Sequence, residues 1–344
     1  KGDFRLSQNW YWGWDASLFT DNSYAPQYKV TKQGTEAISQ VYLFGRGANS
    51  YFDARAVHFY GLSPLDVQKQ LPFLHPIIDY KYKFGYPVFG GELTYNVNLT
   101  SLTRQQADYD PVSVAAATTA FSDGKNVCDS ADPAAVKTRD NCLLRGIAGT
   151  YSRLSAEAQW RRSFVDPFGQ IFTPFLSARA DLASVSINPD PSTANFIHPG
   201  DDSLARAMPA IGLEYRYPFI STHSWGAQTI EPTVQVIARP NEPQIGRFPN
   251  EDSQSLLFDD INLLTLNKFS GWDRVEGGGR ANVALQYTAH FNNAGYLNAL
   301  FGQSYHLFGV NSYAVADMAN TGLASGLETA RSDYVGRVIF QPNK

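Results

Sequence analysis

Six histidines, His58, His75, His198, His223, His290 and His306, are scattered through the 344 residues, and none belongs to an HExxH pair. The chain has no GxSxG elbow and no phosphate-binding glycine loop; "GGGR" at 277–280 reads as a loop exit into a strand. A hydrolase triad assembled from distant residues at one rim stays open as an alternative, with no motif behind it. Cys128 and Cys142 share one polar stretch, "GKNVCDSADPAAVKTRDNCLLRG". Two thiols with no nearby His cannot complete a zinc site. A local disulfide fits them better and implies an oxidising compartment, with two free thiols as the alternative. On these residues the chain is expected to carry no catalytic centre and no cofactor.

The charged residues that do keep a pattern stand on alternate positions. Glu92, Asn96 and Asn98 interleave with Leu93, Tyr95, Val97 and Leu99. Glu157 and Arg161 interleave with Ala156, Ala158 and Trp160, and Glu214 and Arg216 with Leu213, Tyr215 and Tyr217. Glu231 and Gln235 alternate with Ile230, Pro232, Val234 and Val236, and Arg239 closes that run. Successive side chains of a strand point to opposite faces, so each run has one polar and one apolar face. Charge facing hydrocarbon costs roughly 2–4 kcal/mol near the midplane. In a membrane, therefore, Glu92, Asn96, Glu157, Arg161, Arg179, Glu214, Arg216, Glu231, Gln235 and Arg239 are expected to line a lumen. The apolar partners Leu93, Tyr95, Val97, Leu213, Tyr215 and Val234 are expected to face lipid. Two readings of the polar face stay open, a hydrated wall with cross-strand ion pairs and a path for a large polar, anionic solute.

Composition agrees with strands. Hydrophobic residues make up 43%, aromatics 14% and charged residues only 17%, against a usual charged share near a quarter. Aromatic and β-branched residues fit a pleated surface. A net charge of −4 gives no basic footprint, so nucleic acid is not an expected partner. No apolar run approaches the roughly 20 residues of a membrane helix, but a barrel strand needs only about 9–11.

An antiparallel sandwich in water alternates in the same way; connection lengths separate the two. Short ones fall at 45–50, 85–90, 165–170, 221–226 and 292–295. Long ones fall near 20–35, 61–74, 104–147, 187–205, 240–275 and 310–331. Outer-membrane barrels keep short turns on one side and long loops on the other. The expected fold is therefore an all-β, antiparallel, up-and-down transmembrane β-barrel of about twelve strands, one domain over 1–344. Pro174 and Pro232 break the ladder chemistry of two strands and are expected to mark bulges, with a weakened, openable seam as the alternative. An open sheet of this size would leave unpaired edges in lipid; either the twelve strands close on themselves or the chain is part of a larger barrel, and the second is expected.

The connection from Arg239 to Arg280 is too apolar for a solvated loop. Leu256, Leu257, Phe258, Ile261, Leu263, Leu264 and Leu266 imply packing, and Glu251, Asp252, Asp259 and Asp260 crowd beside them. A calcium site is conceivable, but the spacing matches no calcium loop. We expect a cap folded into the extracellular mouth, built on Asp252, Phe258, Asp259, Asp260, Trp272, Asp273 and Arg274.

"PNEDSQSLLFDDINLLTLNKFSGWDRVEGGGR" and, after it, "FGQSYHLF" resemble the barrel domain of the LptD family of outer-membrane lipopolysaccharide-assembly proteins; so do "LPFLHPIIDYKYKF" and "GGELTYNVNLTSLTR". The resemblance covers essentially the whole chain and suggests an alphaproteobacterial member. It implies a lipopolysaccharide translocon without covalent chemistry in the outer membrane. In such a translocon the sugar passes through the lumen and the lipid leaves through a seam between the first and last strands. It further implies an LptE-like plug lipoprotein, periplasmic bridge proteins that deliver through a jellyroll, and membrane lipids as partners. The jellyroll and the last strands are expected to lie outside this chain, and Cys128 and Cys142 match neither end of the family's interdomain disulfides. A passive porin is the other class left open; liposome swelling would separate it.

Overall fold

Alternating runs become long ladders because each apolar side chain finds a same-face neighbour across the strand. The computed structural model describes residues 1–17, 19, 27, 36–63, 66–113, 120–189, 199–292 and 294–342. The expected long connection near 20–35, apart from residue 27, and residues 190–198 of the one near 187–205 lie outside the described residues. In chain order the strands are β1 (Gly2–Arg5), β2 (Trp10–Asp15), β3 (Glu36–Arg46), β4 (Ser50–Gly61), β5 (Phe73–Lys83) and β6 (Glu92–Arg104). There follow β7 (Asp108–Pro111), β8 (Cys142–Gly146), β9 (Gly149–Arg161), β10 (Phe164–Val165), β11 (Ile171–Ile187) and β12 (Gly200–Arg216). The last are β13 (Phe219–His223), β14 (Gly226–Ala238), β15 (Gly279–Phe291), β16 (Gly295–Phe308) and β17 (Val335–Gln341).

Fifteen of these form one antiparallel sheet in the order β1-β2-β3-β4-β5-β6-β9-β11-β12-β14-β15-β16-β17. β10 continues the line of β9 along β11, and β13 continues that of β12 along β14. Fifteen strands thus lie on thirteen lines, one more than the sequence pattern led us to expect. The extra line is β1 of the opening β1–β2 hairpin, a four-residue strand too short to show a period. Among the described residues β1 and β17 pair with one neighbour each, so the sheet does not close on itself.

Every neighbour is antiparallel, so long and short connections alternate between the two ends. Connections 16–35, 62–72, 105–148, 188–199, 239–278 and 309–334 leave from one end; 6–9, 47–49, 84–91, 166–170, 224–225 and 292–294 turn at the other.

The prolines correct our expectation of bulges. Pro174 pairs with Leu213, and Pro232 with Leu285, in unbroken register. The neighbouring strand breaks instead: Arg162 donates to the Pro174 carbonyl and Tyr217 to that of Pro232, in the gaps between β9 and β10 and between β12 and β13. A ring nitrogen cannot donate, so the pairing lapses on that side only.

The apolar face is the exposed one. Leu154, Leu176, Leu182, Ile211, Leu213, Val234, Val236, Val283 and Leu285 point outward, while Arg153, Ser155, Thr173, Arg179, Asp181, Arg206 and Gln235 are buried. Leu93, Tyr95 and Val97 are half-buried. A water-soluble sandwich buries the opposite set. Toward the long-loop end the inner face itself turns apolar, with Ala183, Val185, Leu204 and Met208 buried, while Asp201, Asp202 and Ser203 stand exposed. There three connections, 105–148, 239–278 and 309–334, pack into a dome. Leu102, Tyr109, Cys128, Cys142, Tyr151 and Phe248 share one apolar cluster; Phe258, Leu263, Phe269, Tyr313 and Leu327 share another.

Candidate functional site

The dome's central piece is the 239–278 connection, and it folds because its own carboxylates satisfy its backbone. Asp273 Oδ2 accepts the N–H groups of Glu251 at 2.6 Å and Asp252 at 3.0 Å. Asp252 accepts in return from Trp272, at 2.9 Å on one oxygen, and from Asp273 at 2.8 Å. Buried backbone donors need such partners. Phe258, Leu263 and Phe269 supply the apolar anchor. Leu257 and Ile261, which the sequence led us to expect inside, are each 77% exposed.

Wall arginines grip this cap. Arg153 on β9 donates to Asp273 and, at 3.0 Å, to Asp252; the Tyr151 hydroxyl donates to Asp273 at 2.7 Å. Arg104 on β6 forks onto both oxygens of Glu251 at 3.0 and 2.8 Å. Arg179 on β11 reaches the Trp272 carbonyl, and Arg206 on β12 the Asp273 carbonyl at 3.1 Å, while Asp181 holds both guanidiniums. Further along, Glu276 takes Arg280, Arg239 at 3.1 Å and the Tyr313 hydroxyl at 2.9 Å. Arg274 pairs with Asp317 of the 309–334 connection, and Asp260 with Arg337 on β17 at 2.7 Å. Asp259 caps the N–H groups of Ile261 and Asn262.

Burial alone would raise the Asp273 carboxyl, but the Arg153 guanidinium and the Tyr151 hydroxyl hold it below its ordinary value. Asp252 keeps about a third of its side chain exposed (32%), yet the protein packed around it and the neighbouring Asp273 carboxylate push it up to about 6. Burial would also raise Glu276; Arg239 and Arg280 bring it down to about 2. Lys268 is pulled down to about 7 by burial, despite Glu276, because Arg280 and Arg239 stand near.

Beneath the cap lies a cavity of about 550 Å³. Glu92, Asn96, Glu157, Arg161, Arg179, Glu214 and Gln235 line it from the wall, and Leu264, Leu266, Phe269 and Trp272 from the cap. Seven residues singled out from the sequence therefore meet in one space. Three do not: Arg216 and Glu231 pair with each other at 3.7 Å, and Arg239 is held by Glu276 and the Leu266 carbonyl. Glu92 also pairs with Lys83 at 2.6 Å. The sequence reading missed Tyr151, Arg153, Arg206, Glu251 as a partner of Arg104, and the Glu276–Arg280–Tyr313 group. For Arg153 a signal existed, since it extends the period of Ser155, Glu157 and Gln159 by one step.

Cys128 and Cys142 are joined, with Cα atoms 5.7 Å apart, and the bridge closes the connection that carries the β7–β8 hairpin.

A strongly alternating antiparallel sheet, apolar outside and charged inside, with all long connections at one end, defines an outer-membrane β-barrel protein. Over residues 1–344 the chain matches LptD, described as LPS transport system D, and it belongs to that family. The family transports lipopolysaccharide to the outer membrane and is not an enzyme family. No curated protein matches the chain.

Proposed function

We propose that this chain is the translocon barrel of lipopolysaccharide export, carrying the sugar portion through its lumen while the lipid leaves sideways through a seam. The observation that carries the reading is the cavity lined by Glu92, Asn96, Glu157, Arg161, Glu214 and Gln235 and roofed by the 239–278 cap. Carboxylates, amides and a guanidinium suit a hydroxyl-rich, charged glycan, and the apolar outer face suits the lipid. The extracellular mouth is where we place the cap, since it occupies the long-connection end.

We read the thirteen lines as part of a larger barrel. Unpaired donors on β1 and β17 would be unsatisfied in hydrocarbon, so further strands are expected beside them. An LptE-like plug lipoprotein would fit within so wide a barrel, and bridge proteins would deliver cargo from the periplasmic side through a jellyroll.

Deleting residues 252–270 tests the reading. The barrel should still insert and migrate as a heat-modifiable band, and cells should become permeable to large antibiotics. Unchanged permeability together with unchanged lipopolysaccharide display would overturn it.

A further inference from the structure

Four adjacent wall strands each present one arginine to the cap, and the register sets them on a descending line. Taking β9 as the ruler, Arg104 stands level with Gly149. Arg153 is next. Arg206 pairs with Asp181 and Asp181 with Ser155, so Arg206 stands at 155; Arg179 pairs with Glu157. Arg161, at the foot of β9, lines the cavity and makes no ion pair among the described residues. From 149 to 161 the line covers roughly 40 Å of strand at about 3.3 Å per residue. It runs from the cavity to the rim beneath the dome.

Burying guanidiniums on a wall is costly, and apolar packing would hold a static lid as well. Four of the five sites are nearly sealed: Arg153 and Arg206 are 1% and 4% exposed, Arg179 and Arg104 6% and 7%. What seals them comes chiefly from the cap. Glu251 takes the fork of Arg104, Asp273 and Asp252 take Arg153, and the Trp272 and Asp273 carbonyls take Arg179 and Arg206. Asp181 is the one wall carboxylate among them, and it fixes the last two in place. Guanidinium forks bind phosphate as they bind carboxylate, through paired N–H donors.

We propose that this arginine staircase is a binding track for a phosphate-bearing polyanion, and that the cap occupies it in the closed state with its own carboxylate and carbonyl oxygens. The cap is then an internal competitor. Phosphate entering at Arg161 displaces the cap from the steps above it, one guanidinium at a time. This rests on the lumen reading above and adds to it which group the wall recognises and how the lid is released.

The test uses the full chain in detergent micelles with sodium tripolyphosphate as the probe. Glu251→Gln combined with Asp252→Asn removes two competing charges and should tighten tripolyphosphate binding at least about tenfold, the worth of one charge-assisted contact. Adding Arg161→Gln should reverse most of the gain. Equal binding by wild type and the double variant would overturn the proposal. Should the double variant fail to fold, wild type decides. Tripolyphosphate should speed hydrogen exchange over residues 251–273, and no change there would overturn it equally. A second arm separates the sources of phosphate by comparing detergent-dispersed lipopolysaccharide before and after enzymatic dephosphorylation. Faster exchange with the phosphorylated form alone supports a cargo track; equal effects refute one. Failure here leaves the permeability result of the 252–270 deletion standing, so the two readings fail separately.

Discussion

Asp252 and Asp273 clamp each other's backbone: each carboxylate accepts the N–H of the other residue and of the residue before it. The two ends of the 251–273 excursion are thereby pinned together, and Arg153 pins both to the wall. Asp273→Asn should remove the fully buried partner of Arg153 and leave it only the partly exposed Asp252 carboxylate. Removing one partner of a buried pair costs about 3–5 kcal/mol. We expect proteolysis within 251–273 to accelerate in this variant while the barrel stays heat-modifiable. Asp252→Asn should do much less, because that side chain is partly exposed.

Cap closure should strengthen with alkalinity above neutral pH. Lys268 has an ordinary value of 10.5 and about 7 in the closed cap. Below pH 7 both states hold the proton. Between about 7 and 10.5 only the open state does, so rising pH favours closure and falling pH through 7 removes that contribution. Asp252 runs in a separate window: its contribution is present below 3.8 and lost as pH rises through about 6. Hydrogen exchange of the 262–276 amides, corrected for intrinsic rate, should slow from pH 7 to pH 9. Lys268→Met should flatten that dependence; a persistent slope in the variant would assign it elsewhere.

The Cys128–Cys142 bridge spans 14 residues of sequence. Closing a loop of about 15 residues contributes roughly 3 kcal/mol through the unfolded chain. Replacing both by Ser should loosen the 105–148 connection and the cluster around Tyr109 and Leu144. The measurement is protease sensitivity within 112–141 with and without reductant. Wild type should gain that sensitivity on reduction, and the variant should show it throughout.

The two faces of β12 should respond oppositely to charge. Ile211 is 60% exposed on the apolar face, and Ile211→Arg should cost about 2–4 kcal/mol if measured by guanidinium unfolding in vesicles. Glu214 points inward and pairs with Arg216 at 3.3 Å in a partly solvated position. Glu214→Gln should cost under about 1 kcal/mol. Similar penalties for the two would contradict the assignment of faces.

Period two by itself determined which residues share a face, because alternation is a property of the extended backbone and needs no partner. It therefore placed Leu213 and Glu214 on opposite sides, and connection lengths alone ordered the loops by end. Local chain also determined the cystine, whose two halves lie 14 residues apart in one connection. Tertiary structure decided everything that crosses strands. Arg153 meets Asp273 over a separation of 120 residues, a pairing no local pattern encodes. β1 and the proline-opposed breaks escaped notice because a four-residue strand has no measurable period and a missing donor acts on its neighbour. Near the dome the inner face is apolar, since Val185 and Leu204 meet packed loops rather than water. There polarity reports what covers a face, and only the folded connections supply that cover.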